Sequence, residues 1–220
     1  MIDLADAVRQ VRESGIRAIV FDLDGTLYAN IAFSREIARS FARYIGALKG
    51  IDEEAALSLV KETRAELSAA SGLEAPLSAA CIKLGGDLKE VHRHMAGEIA
   101  PERFLARDDR VIELLKRLKA RYDLLLYTNN NRSLTGRIVA ILGFEELFRE
   151  IVTIEDGWRA KPASSVLDRV LALAGVPPGE CLFVGDRYDI DLRLPALRGC
   201  PVLLVTSVEE LLQLAPLTEP

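Results

Sequence analysis

The residues best equipped for chemistry lie in four short stretches. The first is "IVFDLDGTLYAN" (19–30), where Asp22 and Asp24 close an apolar run. Near the end of a strand, residues two apart point the same way, so both carboxylates face one crevice while Leu23 turns away. Crowding them raises each one's pKa unless a cation or a reaction compensates. Gly25 then gives the backbone freedom to turn. Read alone, "DLDG" is also an ordinary solvated strand end. The second stretch, "LLLYTNNN", ends with Thr128 and Asn129 before a helix start. A hydroxyl beside free N–H groups can cradle phosphate there, and capping by Asn130 or Asn131 explains the same residues equally well. The third, "RAKPAS", carries Lys161, by itself a common surface charge. The fourth, "FVGDRYDID", sets Asp186, Asp189 and Asp191 after another apolar run. Clustered carboxylates suit a hard cation such as Mg²⁺, or complement a helix dipole.

These residues need elements to hold them at one place. Five short apolar runs read as strands: 16–21, 122–128, 150–154, 181–186 and 201–206. All but the third are nearly continuous in apolar residues, as in strands covered on both faces. Helical patterns alternate with them. "RSLTGRIVAILG" puts Leu134, Ile138, Ile141 and Leu142 on one face, "ASSVLDRVLALAG" does so with Leu167, Val170, Leu171 and Ala174, and Gly143 and Gly175 supply the stops. After the fourth strand, Pro195 is expected to open a short helix as its first residue. Alternating strand and helix make a mainly parallel α/β sheet, and ligands then bind outside the carboxyl ends of the strands. All four stretches fall at such ends.

The alternation breaks once. From Tyr28 to about Arg107 the patterns are helical only, roughly 32–48, 52–70, 76–84 and 87–99, with Gly50, "SG" at 71–72, Pro76 and "GG" at 85–86 between them. This stretch reads as an insert after the first strand. In it, His92 and His94 are two apart on a helix, so they cannot chelate one ion together, and they read as a solvated face.

Taken in order, "FDLDGTL", "YTNN", the lysine of "AKP" and "VGDRYDID" resemble the four motifs of the haloacid dehalogenase superfamily, over nearly the whole chain outside the insert. The resemblance implies a doubly wound Rossmann-like sheet of order 5-4-1-2-3, with residues 1–28 and 107–220 as catalytic core and 29–106 as a helical cap of the C1 type. It implies a phosphoric monoester hydrolase. Asp22 would be the nucleophile, and Asp24 the acid that protonates the leaving alcohol and then the base that activates water. Mg²⁺ would be held by the Asp22 carboxylate, the Asp24 backbone carbonyl and Asp186. Gly25, Thr128, the backbone at Asn129 and Lys161 would bind the phosphoryl group, and Asp191 would orient Lys161 or the metal's waters. Asp189 has no firm counterpart and reads as a helix-turn acid. Trp158 and Arg159 shape the loop before Lys161. Family members that cleave carbon–halogen bonds lack the second aspartate, which favours phosphoryl chemistry.

Phosphatase is the leading reading. A phosphomutase using the same intermediate, and a non-catalytic phosphate- or protein-binding relative, are the alternatives; the last would be expected to have lost Asp22 or Asp24. "LYANIAFS" and "YTNNNR" faintly resemble pyrimidine 5'-nucleotidase-like members, and the layout equally resembles phosphoglycolate phosphatases. A phosphoglycolate-like ester, a sugar phosphate and a nucleoside monophosphate therefore all stay open as substrate.

The whole chain sets bounds on partners. It has 220 residues, half of them hydrophobic, and a formal net charge of -5 with both signs interspersed, which gives no reason to expect nucleic acid or an anionic membrane. No apolar run reaches the roughly 18 residues of a span. Three scattered cysteines, Cys81, Cys181 and Cys200, argue for a reducing compartment, and the first 15 residues read as a charged amphipathic helix rather than a signal peptide. The expectation is a cytoplasmic monomer or homodimer acting on a small phosphorylated metabolite.

Overall fold

The computed structural model describes residues 4–219, so the first three residues of the expected N-terminal helix lie outside the described residues. Helix α1 (Leu4–Glu13) precedes β1 (Ala18–Phe21). Four helices follow: α2 (Ile31–Lys49), α3 (Glu53–Ser71), α4 (Leu77–Lys83) and α5 (Leu88–Glu98). Alternation then resumes with α6 (Asp109–Lys119), β2 (Asp123–Tyr127), α7 (Arg132–Leu142), β3 (Glu150–Val152), α8 (Ser164–Ala174) and β4 (Cys181–Gly185). A π-helical turn at Tyr188–Leu192 leads into α9 (Arg193–Leu197), β5 (Val202–Leu204) and α10 (Val208–Leu212). Pro195 is the third residue of α9 rather than its first, because the π turn runs straight into the helix and brings its start forward. A proline is tolerated there, since first-turn N–H groups have no partner within the helix.

The sheet is parallel throughout, in the order β3-β2-β1-β4-β5, which is the expected 5-4-1-2-3 read from the other edge. β1 sits at its centre, with Ala18 level with Asp123 on one side and Cys181 on the other. Its period of two splits the core into layers. Ile19 and Phe21 join Leu124, Leu126, Leu182 and Val184 on one face, while Ala18 and Val20 join Leu125, Phe183 and the apolar stripe of α8 on the other.

The helices of the insert are delimited as their sequences dictate. Asn30, Asp52 and Asp87 cap α2, α3 and α5 by accepting N–H groups of the first turn, and Gly50 and Gly72 stop α2 and α3 in the left-handed conformation. The insert's two connectors are pinched together: Asn30 Nδ2 donates to the Phe104 carbonyl at 2.7 Å, and the Phe33 ring lies against both Tyr28 and Phe104.

One expectation about the insert is overturned. His92 is not on a solvated face; it is buried beside Val91 and Met95. Leu88, Val91, His92 and Met95 follow the i, i+3, i+4, i+7 spacing of a single apolar stripe, and His92 is carried inward with it. His94 is partly exposed and pairs with Glu98 at 3.0 Å. Among the described residues no helix is long and apolar enough to cross a membrane.

Candidate active site

Two loops meet at the carboxyl end of the sheet. Asp22 directly follows β1, its N–H donating to the Val184 carbonyl at 2.9 Å and its side chain buried. Gly25 then turns with φ +87°, and a Cβ there would lie 2.3 Å from Asp186 Oδ2. Only glycine allows both the turn and this approach. The loop after β4 is as tight, since a Cβ on Gly185 would fall 2.6 Å from that of Asp191. Pressing the loops together brings one oxygen each of Asp22, Asp186 and Asp191 within 4.8 Å of one another.

Lys161 arrives from the segment between β3 and α8. Asn129 Oδ1 accepts its backbone N–H at 2.7 Å, and its ammonium donates to Asp22, to Asp191 at 2.6 Å and to the Tyr127 carbonyl at 2.9 Å. Burial alone would lower the Lys161 pKa, but Asp191 and Asp22 hold the ammonium above its ordinary range. Burial is also the largest influence on each carboxylate. It pushes Asp22 up to about 7 against the pull of Lys161, and Asp186 up to about 6. For Asp191 burial is outweighed by Lys161 and Arg187, which keep its carboxyl below the usual range. Asp191 is thus an ion-pair partner of the lysine.

Asp24 stands apart, partly buried at the cavity floor. Tyr28 donates its hydroxyl to one carboxylate oxygen, and Asn130 Nδ2 donates to the other at 2.6 Å. Burial raises the Asp24 pKa, and these two donors oppose the rise. Sequence reasoning missed Tyr28 and Asn130 as partners of Asp24. The first lies one helical period beyond it in the same motif, and the second belongs to a run of three asparagines whose division of labour only the fold reveals. Asn131 is the cap of α7, while Asn130 turns to Asp24. Thr128 is fully buried, with its Oγ1 accepting the Asn130 N–H at 3.1 Å; Asn129 and Asn130 border the cavity. That N–H is therefore engaged rather than free.

Asp189 lies in the first turn of the π-helical segment, as a helix-turn acid would, and it also reaches outward. Its Oδ2 accepts the Glu74 N–H at 3.0 Å, joining the core loop to the α3–α4 connection of the insert. Above the floor lies a cavity of about 340 Å³, bordered by Asp24, Asp186 and Arg187 from below and by Phe41, His92 and Met95 of the insert. Arg187, also not singled out by sequence reasoning, lies 3.6 Å from Asp186, 3.8 Å from Asp191 and 3.9 Å from Glu74.

The donor set suits a small hard cation: oxygens from three carboxylates converge, and Asp186 Oδ1 is buried with no hydrogen-bond partner. What the arrangement offers is a buried carboxylate in an ion pair, a second carboxyl on hydrogen-bond donors, and space above the second for a ligand.

Comparison with known proteins identifies the family. The model of the haloacid dehalogenase-like hydrolases matches residues 16–207. The chain is 32% identical over 85 residues to the N-acylneuraminate-9-phosphatase of Mus musculus; the match covers 39% of this chain and about a third (34%) of that protein's length. Among solved structures, it resembles a HAD phosphatase from Thermococcus onnurineus (TM-score 0.59, 20% identity, 86% of each chain). It also resembles a predicted phosphoglycolate phosphatase from Haemophilus somnus (TM-score 0.51, 22% identity, 86% of this chain and 84% of the other). At these identities the structural likeness speaks for the fold.

Proposed function

This chain belongs to the haloacid dehalogenase-like hydrolase family, and from that premise we propose that it is a Mg²⁺-dependent phosphatase hydrolysing a small phosphomonoester through an aspartyl-phosphate on Asp22. The observation that carries the reading is the division between two carboxylates two residues apart. Asp22 is locked into an ion pair with Lys161, while Asp24 is held by Tyr28 and Asn130 at the cavity floor. One is suited to attack, the other to proton transfer.

Asp22 acts as a carboxylate, the form Lys161 favours, with Thr26 Oγ1 donating to its Oδ2 at 3.4 Å. Its oxygen forms a bond to phosphorus as the bond to the leaving oxygen breaks. The carboxyl proton of Asp24 passes to that oxygen, releasing the alcohol. The Asp24 carboxylate then takes a proton from water, whose oxygen attacks phosphorus and frees Asp22 and phosphate. Gly25, Thr128 and the backbone at Asn129 bind the phosphoryl oxygens, while Lys161 neutralises the charge shared by Asp22 and the phosphate. Mg²⁺, held by Asp22, Asp186 and the Asp24 carbonyl, would supply the positive charge that lets a carboxylate meet a phosphate dianion.

We assign residues 29–106 as a cap over a core of 1–28 and 107–220, because the cavity walls facing away from the carboxylates come from α2, α3, α4 and α5. The free, buried cysteines accord with a reducing, cytoplasmic setting. The test is phosphate release from a broad phosphomonoester panel with Mg²⁺, read as kcat/KM. Release from several members is expected, and release from none would overturn the reading.

A further inference from the structure

His92 lies in the cap with its chemistry unused. Its ring meets Phe41 edge-on at 6.0 Å and lies 6.5 Å from the ring of Trp158, while its backbone carbonyl accepts Asn131 Nδ2 at 3.0 Å. The residue is therefore clamped between insert and core. Neither ring nitrogen has a hydrogen-bond partner, although the side chain is 3% exposed. Burial lowers its pKa to about 4, so the ring is neutral at physiological pH, with one N–H and one lone pair. Each unmet buried polar atom costs about 1–3 kcal/mol. Phenylalanine would fill the slot without that cost.

The ring borders the cavity that opens onto Asp24 and Asp186. Both nitrogens are closed to water in this arrangement. A half-turn about the broad, two-fold χ2 torsion exchanges carbon and nitrogen positions without changing the ring's shape. The charged groups bordering the same cavity are already paired. Arg64 donates to Glu74 at 3.2 Å and to the Ala75 carbonyl at 3.0 Å, and Arg187 lies among Glu74, Asp186 and Asp191. The rest of the cap wall is largely apolar, from Ile37, Phe41, Leu77 and Met95, with Ser78 and Ser34, whose hydroxyl donates to the Asn30 carbonyl at 3.2 Å, as further neutral polar groups.

We propose that His92 reads the leaving group by hydrogen-bonding one of its hydroxyls, so that the preferred substrates are phosphomonoesters of hydroxylated carbon skeletons, phosphorylated polyols or sugars. The ring offers a donor at one nitrogen and an acceptor at the other, either of which a hydroxyl can meet and an alkyl chain cannot. A site built to hydrogen-bond a hydroxyl discriminates against the analogue lacking it. This inference rests on the phosphatase reading and deepens it.

The test pairs esters of equal length, propyl phosphate with glycerol phosphate and pentyl phosphate with a pentitol phosphate, in wild type, His92→Phe and His92→Gln. Wild type should favour the hydroxylated member of each pair in kcat/KM. His92→Phe should reduce that preference about 10- to 100-fold. His92→Gln, which keeps a donor and an acceptor, should retain part of it and serves alone if the phenylalanine variant does not fold. A purely structural role lowers both members together and leaves their ratio unchanged; that result, or a wild-type preference for the alkyl esters, would overturn the proposal. No phosphate release from any ester would instead sink the phosphatase reading beneath it.

Discussion

The core and the insert each contain a network of carboxylates around one cation, and water separates their behaviour. In the core, Lys161 lies between Asp22 and Asp191 with all three side chains no more than 4% exposed. In the insert, Arg43 joins Glu36 and Glu98 at 2.6 Å and Glu53 at 3.5 Å, with side chains 25–30% exposed. The buried network costs stability to maintain, because desolvation is repaid only by good geometry. It leaves Asp22 with a pKa raised to about 7. The solvated network does the opposite for Glu98, whose tendency to rise on burial is overcome by Arg43 and Ser40, and it ties α2 to α3 and α5. A charge cluster kept out of water at such expense is a sign of chemistry; one at the rim staples helices.

The largest expected effect breaks the core side. Asp22→Asn should lower turnover at least about 10⁴-fold, since an amide is a poor nucleophile, while circular dichroism and Tm show an intact fold. Near-wild-type rates, with no deamidation seen by mass spectrometry, would remove Asp22 from its role. Chelation with EDTA should abolish phosphate release and added Mg²⁺ restore it, with Ca²⁺ a poor substitute because it accepts more ligands at longer distances. Full activity in metal-free buffer would contradict that site.

Smaller effects follow in stability. Lys161→Met leaves two carboxylates buried without their cation and should cost about 3–5 kcal/mol at neutral pH in denaturant melts. His92 gives a pH signature of its own. Its folded pKa of about 4 lies below the 6.5 of a free imidazole, so the unfolded chain binds the extra proton between those values. The stability present above pH 6.5 should fall as pH drops toward 4, by on the order of 3 kcal/mol, and His92→Phe should flatten that part of the profile. The insert's network should matter least: Arg43→Met is expected to cost about 1 kcal/mol or less, shrinking further in high salt. A loss as large as that of Lys161→Met would erase the contrast between the two networks.

The sheet was readable because its strands are buried on both faces, which makes them nearly continuous apolar runs, and because glycines mark the helix ends. Asp22, Asp24, Asp186 and Asp191 were readable because strand ends put them at one edge of one sheet, whereas Lys161, a common surface charge by itself, stood out only through the resemblance of its motif. What escaped was side-chain partnership across distance. Nothing local says that Asn130, rather than Asn131, turns to Asp24, or that Asp189 reaches a backbone N–H of residue 74. His92 differs, because its helical stripe was present in the sequence. His92 and His94 cannot chelate one ion as a pair, yet burial follows from each residue's own neighbours at three and four positions.

The pinch between Asn30 and Phe104 bears on how the chain finds its fold. β1 and β2 are adjacent in the sheet, yet the chain between them runs from Phe21 to Asp123, through the whole insert. Closing so long a loop is an entropic obstacle to pairing the two strands, and it grows with the logarithm of loop length, by about 0.6 kcal/mol per doubling. Once the insert's helices have assembled and the 2.7 Å contact holds their two connectors together, most of those residues no longer count toward the loop. An insert that folds first turns the long-range pairing of the central strands into a nearly local one.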